Sequence, residues 1–305
     1  MELRILRYFL VVAREENLTR AAKLLHITQP TLSRQIMQLE EEFGVKLFRR
    51  SNHSIILTPE GLFLRRRAQE MVDLADKTAQ ELTAPEETIA GEISIGCGET
   101  QNVTFMTAIM KAFQEQYPDV YFSVYTGIAD DIKERIEKGL LDFGVVIEPV
   151  DISKYQFMPL PYKDYWVALL REDDALAAKA AIRPADLVKR PLILASRASV
   201  RNLLDQWFGD YVKDIRPAAY MNLSAYNKNI LVAQGMGIAL GLNFTTHYPG
   251  LKMIPLEPRL ENGSYIVWKK NQDVTETVKR FIEFARAYTE GAVARNLCGS
   301  LFVYT

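Results

Sequence analysis

Cysteine and histidine are scarce, at two and three residues in a chain of 305. Cys97 and Cys298 are too few and too far apart to form a disulfide framework. With His26, His53 and His247 they show no metal-ligand spacing, so neither a metal nor another cofactor is expected. A hydrolase would need a base beside its nucleophile, yet two of the three histidines fall near the N-terminus and no GxSxG elbow occurs, so enzyme activity is not expected. No apolar run reaches membrane-spanning length, and the opening Met1-Glu2-Leu3-Arg4 lacks a signal-peptide core. The expectation is a cytoplasmic protein without membrane contact.

The formal net charge is −1, which by itself does not suggest a polyanionic partner. Its distribution does. Residues 1 to 67 carry 12 Lys and Arg against 7 Asp and Glu, and the remainder of the chain is net acidic.

Within the basic segment, Thr28 can accept a bond from a first-turn N–H, and Pro30 is tolerated where backbone donors have no intrahelical partner. A helix is predicted from Gln29. Leu32, Ile36, Leu39 and Phe43 recur at spacings of four, three and four as one buried stripe, and Gly44 supplies a left-handed stop. Pro30, Arg34 and Gln38 point away from that stripe, with Gln29, Thr31 and Ser33 flanking it near the leading end. Arg suits guanine, Gln suits adenine, and hydroxyls donate or accept, so this is a candidate DNA recognition helix. Upstream, Leu3, Leu6, Phe9 and Leu10 form the apolar face of a first helix. Thr19 is expected to cap a second helix, where Ala21, Ala22, Leu24 and Leu25 pack, and a turn at His26-Ile27 completes a helix-turn-helix. Downstream, the turn-rich Ser51-Asn52-His53-Ser54 separates basic Arg49-Arg50 from the β-prone Ile55 to Thr58. That pattern fits a two-stranded wing against phosphates, with Arg49, Arg50 and His53 as its DNA contacts.

Residues 1 to about 85 resemble the N-terminal domain of LysR-type transcriptional regulators. The resemblance rests on Phe9, Ala21-Ala22, Leu25, Gln29-Pro30, Ser33, Gln35-Ile36, Leu39-Glu40, Gly44, Leu47-Phe48-Arg49-Arg50, Leu57-Thr58 and Gly61. It implies a winged helix-turn-helix domain, a dimerising linker helix and a C-terminal effector domain, usually assembled into tetramers. It also implies that Gln29, Pro30, Ser33 and Arg34 lie near bases.

Thr58 and Pro59 open a further helix that can run to about Thr83, before Pro85. Leu64, Ala68, Met71, Ala75, Thr78 and Leu82 alternate four and three apart, a period of 3.5 that predicts a coiled-coil seam and a dimer. Two recognition helices on one two-fold axis would read a pseudo-palindromic promoter site. Arg65-Arg66-Arg67 reads equally as a phosphate contact or a solvated face.

From Gly91, strands alternate with helices, which predicts parallel sheets: strands at Glu92–Gly96, Val120–Tyr125, Phe143–Ile147, Leu192–Ala195, near Tyr220 and at Ile238–Leu242. Helices are expected at Val103–Gln116, Ala129–Lys138, from Ser199, at Tyr226–Ala233 and at Thr275–Tyr288, the last packing back on the first lobe. Two α/β lobes joined by two crossings resemble the periplasmic-binding-protein-like effector domain of the same family. Gly91, Tyr117-Pro118, Gly139, Leu141-Asp142 and Gly235-Met236-Gly237 stand at its landmarks, while Gly241-Leu242 replaces a usual Leu-Pro and alters the local wall of the cleft. The expected fold class is α/β, with an N-terminal winged helix-turn-helix (1–58), a linker helix and hinge (59–90) and the two-lobed effector domain (91–305). Lobe I covers about 91–162 and 266–305, and lobe II about 163–265.

In such a fold a ligand lies at the carboxyl ends of the strands, between lobes, where helix N-termini point inward. The loops Cys97–Asn102 and Ser196–Ser199 occupy those places. Thr100, Gln101, Asn102, Ser196, Ser199 and Arg201 are the candidate effector contacts, with Thr126, Gly127 and Ile147 lining the site, each weighed against an ordinary turn or cap role. A carboxylate would suit Arg197 or Arg201, whereas Glu99 argues against a simple anion site. Cys97 reads as a buried apolar cysteine ahead of a redox sensor. The expected partners are double-stranded promoter DNA, a small-molecule effector, RNA polymerase and a second or further copy of the chain. A regulator without an effector and a solute-binding protein are the alternatives, the latter disfavoured by the recognition helix and the missing export signal.

Overall fold

The computed structural model describes residues 1–50, 55–83, 89–222, 225–243, 248–270 and 274–294. They divide into two compact units, Met1–Ala84 and Pro85–Thr305.

The first unit contains α1 (Leu3–Glu15), α2 (Leu18–Leu24), α3 (Gln29–Phe43), the hairpin β1 (Phe48–Arg50) and β2 (Ile55–Leu57), and α4 (Pro59–Thr83). Its core joins Leu6, Phe9 and Val12 of α1 to Leu32, Ile36 and Leu39 of α3 and to Leu64, Ala68 and Val72 of α4. Three expectations are corrected. Asn17, not Thr19, caps α2, because its extended backbone lets the side chain accept from Arg20 N at 2.9 Å. Phe43 and Leu24 are exposed, and so is Leu3, because each lies at a helix end beyond the packed stripe. Leu64 and Ala68 are turned into the chain's own core rather than out to a dimer seam, since α4 packs along α1 and the Arg7–Asp76 ion pair ties the two helices. Met71 and Ala75 are half-buried, and Leu82 is 81% exposed.

The second unit is two α/β lobes. Lobe I contains β3 (Gly91–Cys97), α5 (Asn102–Gln116), β4 (Val120–Thr126), α6 (Ala129–Glu137), β5 (Phe143–Ile147) and β6 (Tyr155–Pro159). Lobe II contains β7 (Asp164–Arg171), β8 (Pro191–Ala195), α7 (Ala198–Phe208), β9 (Arg216–Met221), α8 (Ala225–Ala233), β10 (Ile238–Leu242), β11 (Leu251–Pro255) and the short β12 (Glu261–Asn262). The chain then returns through β13 (Ser264–Lys269) and α9 (Glu276–Ala294), whose Val278, Phe281 and Ala285 join the lobe I core.

The strand orders are β4-β3-β5-β13-β6 in lobe I and β11-β7-β10-β8-β9 in lobe II. Both sheets are mixed, which corrects the parallel reading. The three βα-linked strands of each lobe run parallel, but β13 lies antiparallel to β5 and β6, and β7 antiparallel to β10 and β11. A strand entering a lobe by a crossing has no helix of its own to reverse it, so it adds antiparallel. The parallel strands of the two lobes end on the loops that border one cleft, as the topological rule requires.

Candidate functional site

In the first unit, the α3 N-terminus is built as its sequence suggests. Thr28 has extended backbone angles, its Oγ1 accepts from Thr31 N at 3.4 Å and lies 2.8 Å from Thr31 Oγ1, and Pro30 occupies the first turn. Gly44 closes the helix at φ +67°. Thr28, Pro30, Thr31, Arg34 and Gln38 are exposed, and Gln29 and Ser33 partly so, while Gln35 Nε2 donates to Gln38 Oε1 at 3.0 Å. No partner holds Arg34 among the described residues. Arg49 is exposed on β1; the Arg50 side chain and His53 lie outside the described residues.

A buried carboxylate joins this helix to the hairpin. Glu40 accepts from Leu47 N at 2.9 Å, Phe48 N at 3.2 Å and Lys46 Nζ at 2.9 Å. Burial alone would raise its pKa, but these donors outweigh it and hold the carboxyl below its ordinary value. Behind the hairpin, Thr58 Oγ1 donates to Lys46 O and accepts from Gly61 N at 2.9 Å, which starts α4. A Cβ at Gly61 would lie 2.1 Å from Leu47 O, so this close approach needs glycine.

In the second unit, a cavity of about 170 Å³ lies between the lobes. Lobe I supplies Gly98 and Glu99 after β3, Gly127 to Ala129 after β4 and Val145 to Glu148 at the end of β5. Lobe II supplies Trp166, Ile193 to Ala195, Arg197, Val200, Met221, Asn222, Ala225, Lys228 and Leu240 to Leu242. Of the residues expected here, Gly127, Ile147 and Arg197 line the cavity.

The other seven do not. Thr100, Gln101 and Asn102 are committed to the crossings: fully buried Asp164 accepts from Thr100 Oγ1, from Gln101 N at 2.9 Å and from Ser264 Oγ at 3.0 Å. Gln101 Nε2 donates to Asn243 O at 2.9 Å, and Asn102 exchanges bonds with the Tyr162 backbone. Thr126 is exposed, Ser196 N bonds Met221 O, and Arg201 lies over the exposed Tyr220 ring. Ser199 Oγ is buried at the α7 N-terminus with no hydrogen-bond partner among the described residues.

The charged groups missed from the sequence are Glu148 from lobe I and Lys228 from lobe II; they join Glu99, the acid that the sequence already set against a simple anion site. Glu99 Oε2 accepts from Ala225 N at 2.8 Å; Glu148 accepts from Gly263 N at 2.8 Å and from Tyr265 OH, and these bonds hold its carboxyl below the usual range. Burial pushes the Lys228 ammonium down to about 8, against the opposing pull of Glu99. Lys228 Nζ would be only 2.5 Å from a Cβ at Gly241, so the Gly241-Leu242 departure makes room for it. From the cavity wall, Arg197 pairs across the lobes with Asp130, at 3.1 and 3.3 Å. Burial raises the Cys97 thiol, which is unsuited to a reactive thiolate. No group of residues able to hold a metal ion occurs among the described residues, and none of the described helices is long and apolar enough to cross a membrane.

Residues 3–62 match the bacterial regulatory helix-turn-helix protein, lysR family, and residues 86–290 match the LysR substrate binding domain. The transcriptional regulator BsdA of Bacillus subtilis is 30% identical over 69% of this chain and 72% of its own, and the transcriptional activator IlvY of Salmonella typhimurium is 28% identical over 79% and 82%. The LysR family regulator CbnR has the same fold at a TM-score of 0.73 and 20% identity, over 95% of this chain and 99% of its own. With both family models matched in order over most of its length, the chain belongs to the LysR family of transcriptional regulators.

Proposed function

We propose that this regulator reads a dyad-symmetric promoter through the leading end of α3 and changes its grip on DNA when a small molecule occupies the cavity between its lobes. The observation that carries the reading is that cavity, with an apolar wall, charged groups on both lobes and the Arg197–Asp130 ion pair joining the lobes beside it. Thr28, Gln29, Pro30, Thr31, Ser33, Arg34 and Gln38 face bases or adjacent phosphates, and Arg49 and Arg50 with His53 form the wing contacts. A ligand that binds one lobe arrangement better than another shifts the equilibrium between them, which is the whole of the coupling required.

The DNA-bound form is a dimer or tetramer. The solvent face of α4 that carries Phe63 and Leu74, 58% and 42% exposed and 11 residues or three turns apart, supports pairing there, in place of Leu64 and Ala68. Its action is on RNA polymerase access, in the cytoplasm and without catalysis. The test is genomic DNA capture by the purified protein with and without a metabolite mixture. Dyad-symmetric promoter fragments with a footprint that changes on addition support the proposal; unchanged footprints would leave a regulator without an effector, and no enrichment would remove the α3 reading.

A further inference from the structure

Charge in the cavity is divided by lobe. Both acids on its wall, Glu99 and Glu148, come from lobe I, and both bases, Arg197 and Lys228, come from lobe II. The rest of the wall is largely apolar, with Ile147, Trp166, Leu194, Met221 and Leu240 among its larger side chains. Resting on the reading of this cavity as the effector site, we infer that its ligand is one α-amino acid with an apolar side chain, its ammonium toward lobe I and its carboxylate toward lobe II.

Three arguments converge. The wall's formal charges sum to zero, so a ligand that is net neutral but carries separated charges leaves nothing unbalanced, whereas a simple acid or amine would bring a net charge against a largely apolar wall. Asp130, the additional acid beside Arg197, is 57% exposed and therefore screened by solvent.

The acceptors and donors have capacity left. An ionised carboxylate offers about four acceptor positions; Glu99 spends one on Ala225 N, and Glu148 spends two on Gly263 N and Tyr265 OH. On the opposite lobe, α7 begins at Arg197 without a side-chain cap, and Ser199 Oγ at the same helix end has no partner among the described residues. A helix start with open donors, next to a guanidinium, favours a carboxylate.

Size sets the third limit. An apolar cavity of about 150 Å³ holds benzene, so about 170 Å³ is enough for an apolar side chain of one ring or one branched chain.

The experiment is titration calorimetry on the full-length protein with L-valine, L-leucine, L-isoleucine, L-methionine and L-phenylalanine. Each is paired with the acid lacking its amine and the amine lacking its carboxyl. One or more amino acids should bind about tenfold or more tighter than both truncated analogues, the scale expected for losing one charged hydrogen-bonding group. Lys228→Met should remove the advantage over the amine while leaving that over the acid. An acid or amine that binds as tightly as its amino acid overturns the inference, as does binding of none of the amino acids. Leu194→Trp, which fills the cavity, separates the two levels. If it blocks a truncated analogue, the effector site stands and only the ligand class falls. If a bound amino acid persists in this variant, the cavity itself is the wrong site.

Discussion

The Glu99 carboxylate of lobe I caps the first turn of a lobe II helix, accepting from Ala225 N at 2.8 Å beside Lys228. Like Arg197–Asp130, it links the two lobes beside the cavity. Glu99→Gln should weaken this link, because a charge-assisted bond is roughly twice as strong as a neutral one. Hydrogen exchange in the first turn of α8 should then accelerate several-fold. Unchanged exchange would show that the link does not hold the helix start.

Arg34 is exposed on α3 and has no partner among the described residues, so it is available for a base edge. Arg34→Ala should weaken specific binding by about 1–3 kcal/mol and leave binding to random DNA nearly intact. Gel-shift titrations on a captured site and a scrambled one compare the two; equal losses would move Arg34 to the phosphate contacts.

Glu40→Gln should destabilise the recognition unit by about 1–3 kcal/mol, since the Leu47 and Phe48 amides lose an ionic acceptor in a buried place. The carboxyl is depressed in the folded state, so its contribution is complete above the unfolded value of about 4.3 and is lost as pH falls through the lower folded value. The difference between wild type and variant, read from exchange of those two amides, should therefore shrink below about pH 4.

Gly61→Ala places a methyl group 2.1 Å from Leu47 O, and that oxygen belongs to the backbone entering β1. Overpacking of this kind costs about 1–3 kcal/mol. Calorimetry should show a lower melting temperature for the transition of the N-terminal unit, with the C-terminal unit unchanged. A melting profile identical to wild type would mean that the hairpin can move away from α4.

Lys228 is the opposite electrostatic case. Its folded pKa of about 8 lies below the ordinary 10.5, so the unfolded chain binds more protons between these values and stability rises with pH there. Wild type should gain on Lys228→Met by at most about 1.4 kcal/mol per pH unit across that window. Urea unfolding followed by tryptophan fluorescence reads the effect, because Trp166, Trp207 and Trp268 all lie in the second unit. A flat difference would place the ammonium in water.

The recognition helix was legible because its determinants are local. Thr28, Pro30, the Leu32-Ile36-Leu39 stripe and Gly44 act within a few residues of one another. The seam on α4 was misread for the opposite reason: a 3.5-residue period says that Leu64 and Ala68 share a face but not what covers it, and α1 does. In the same way, the alternation of strands and helices located β3, β4 and β5, but could not show that β13 would slot antiparallel between β5 and β6 from more than 100 residues away.

The candidate site divides along that line. Sequence by itself determined the capped helix α3, the α/β lobes and the loops at the strand ends, since capping, periodicity and turn chemistry are short-range. Tertiary structure alone decided which loop residues line the cavity. Thr100 and Gln101 turn to Asp164, distant in sequence and buried at a crossing, whose carboxylate must be satisfied by donors there. The same folding brings Glu99 and Lys228, 129 positions apart, to one cavity, with Gly241 leaving the space that Lys228 occupies.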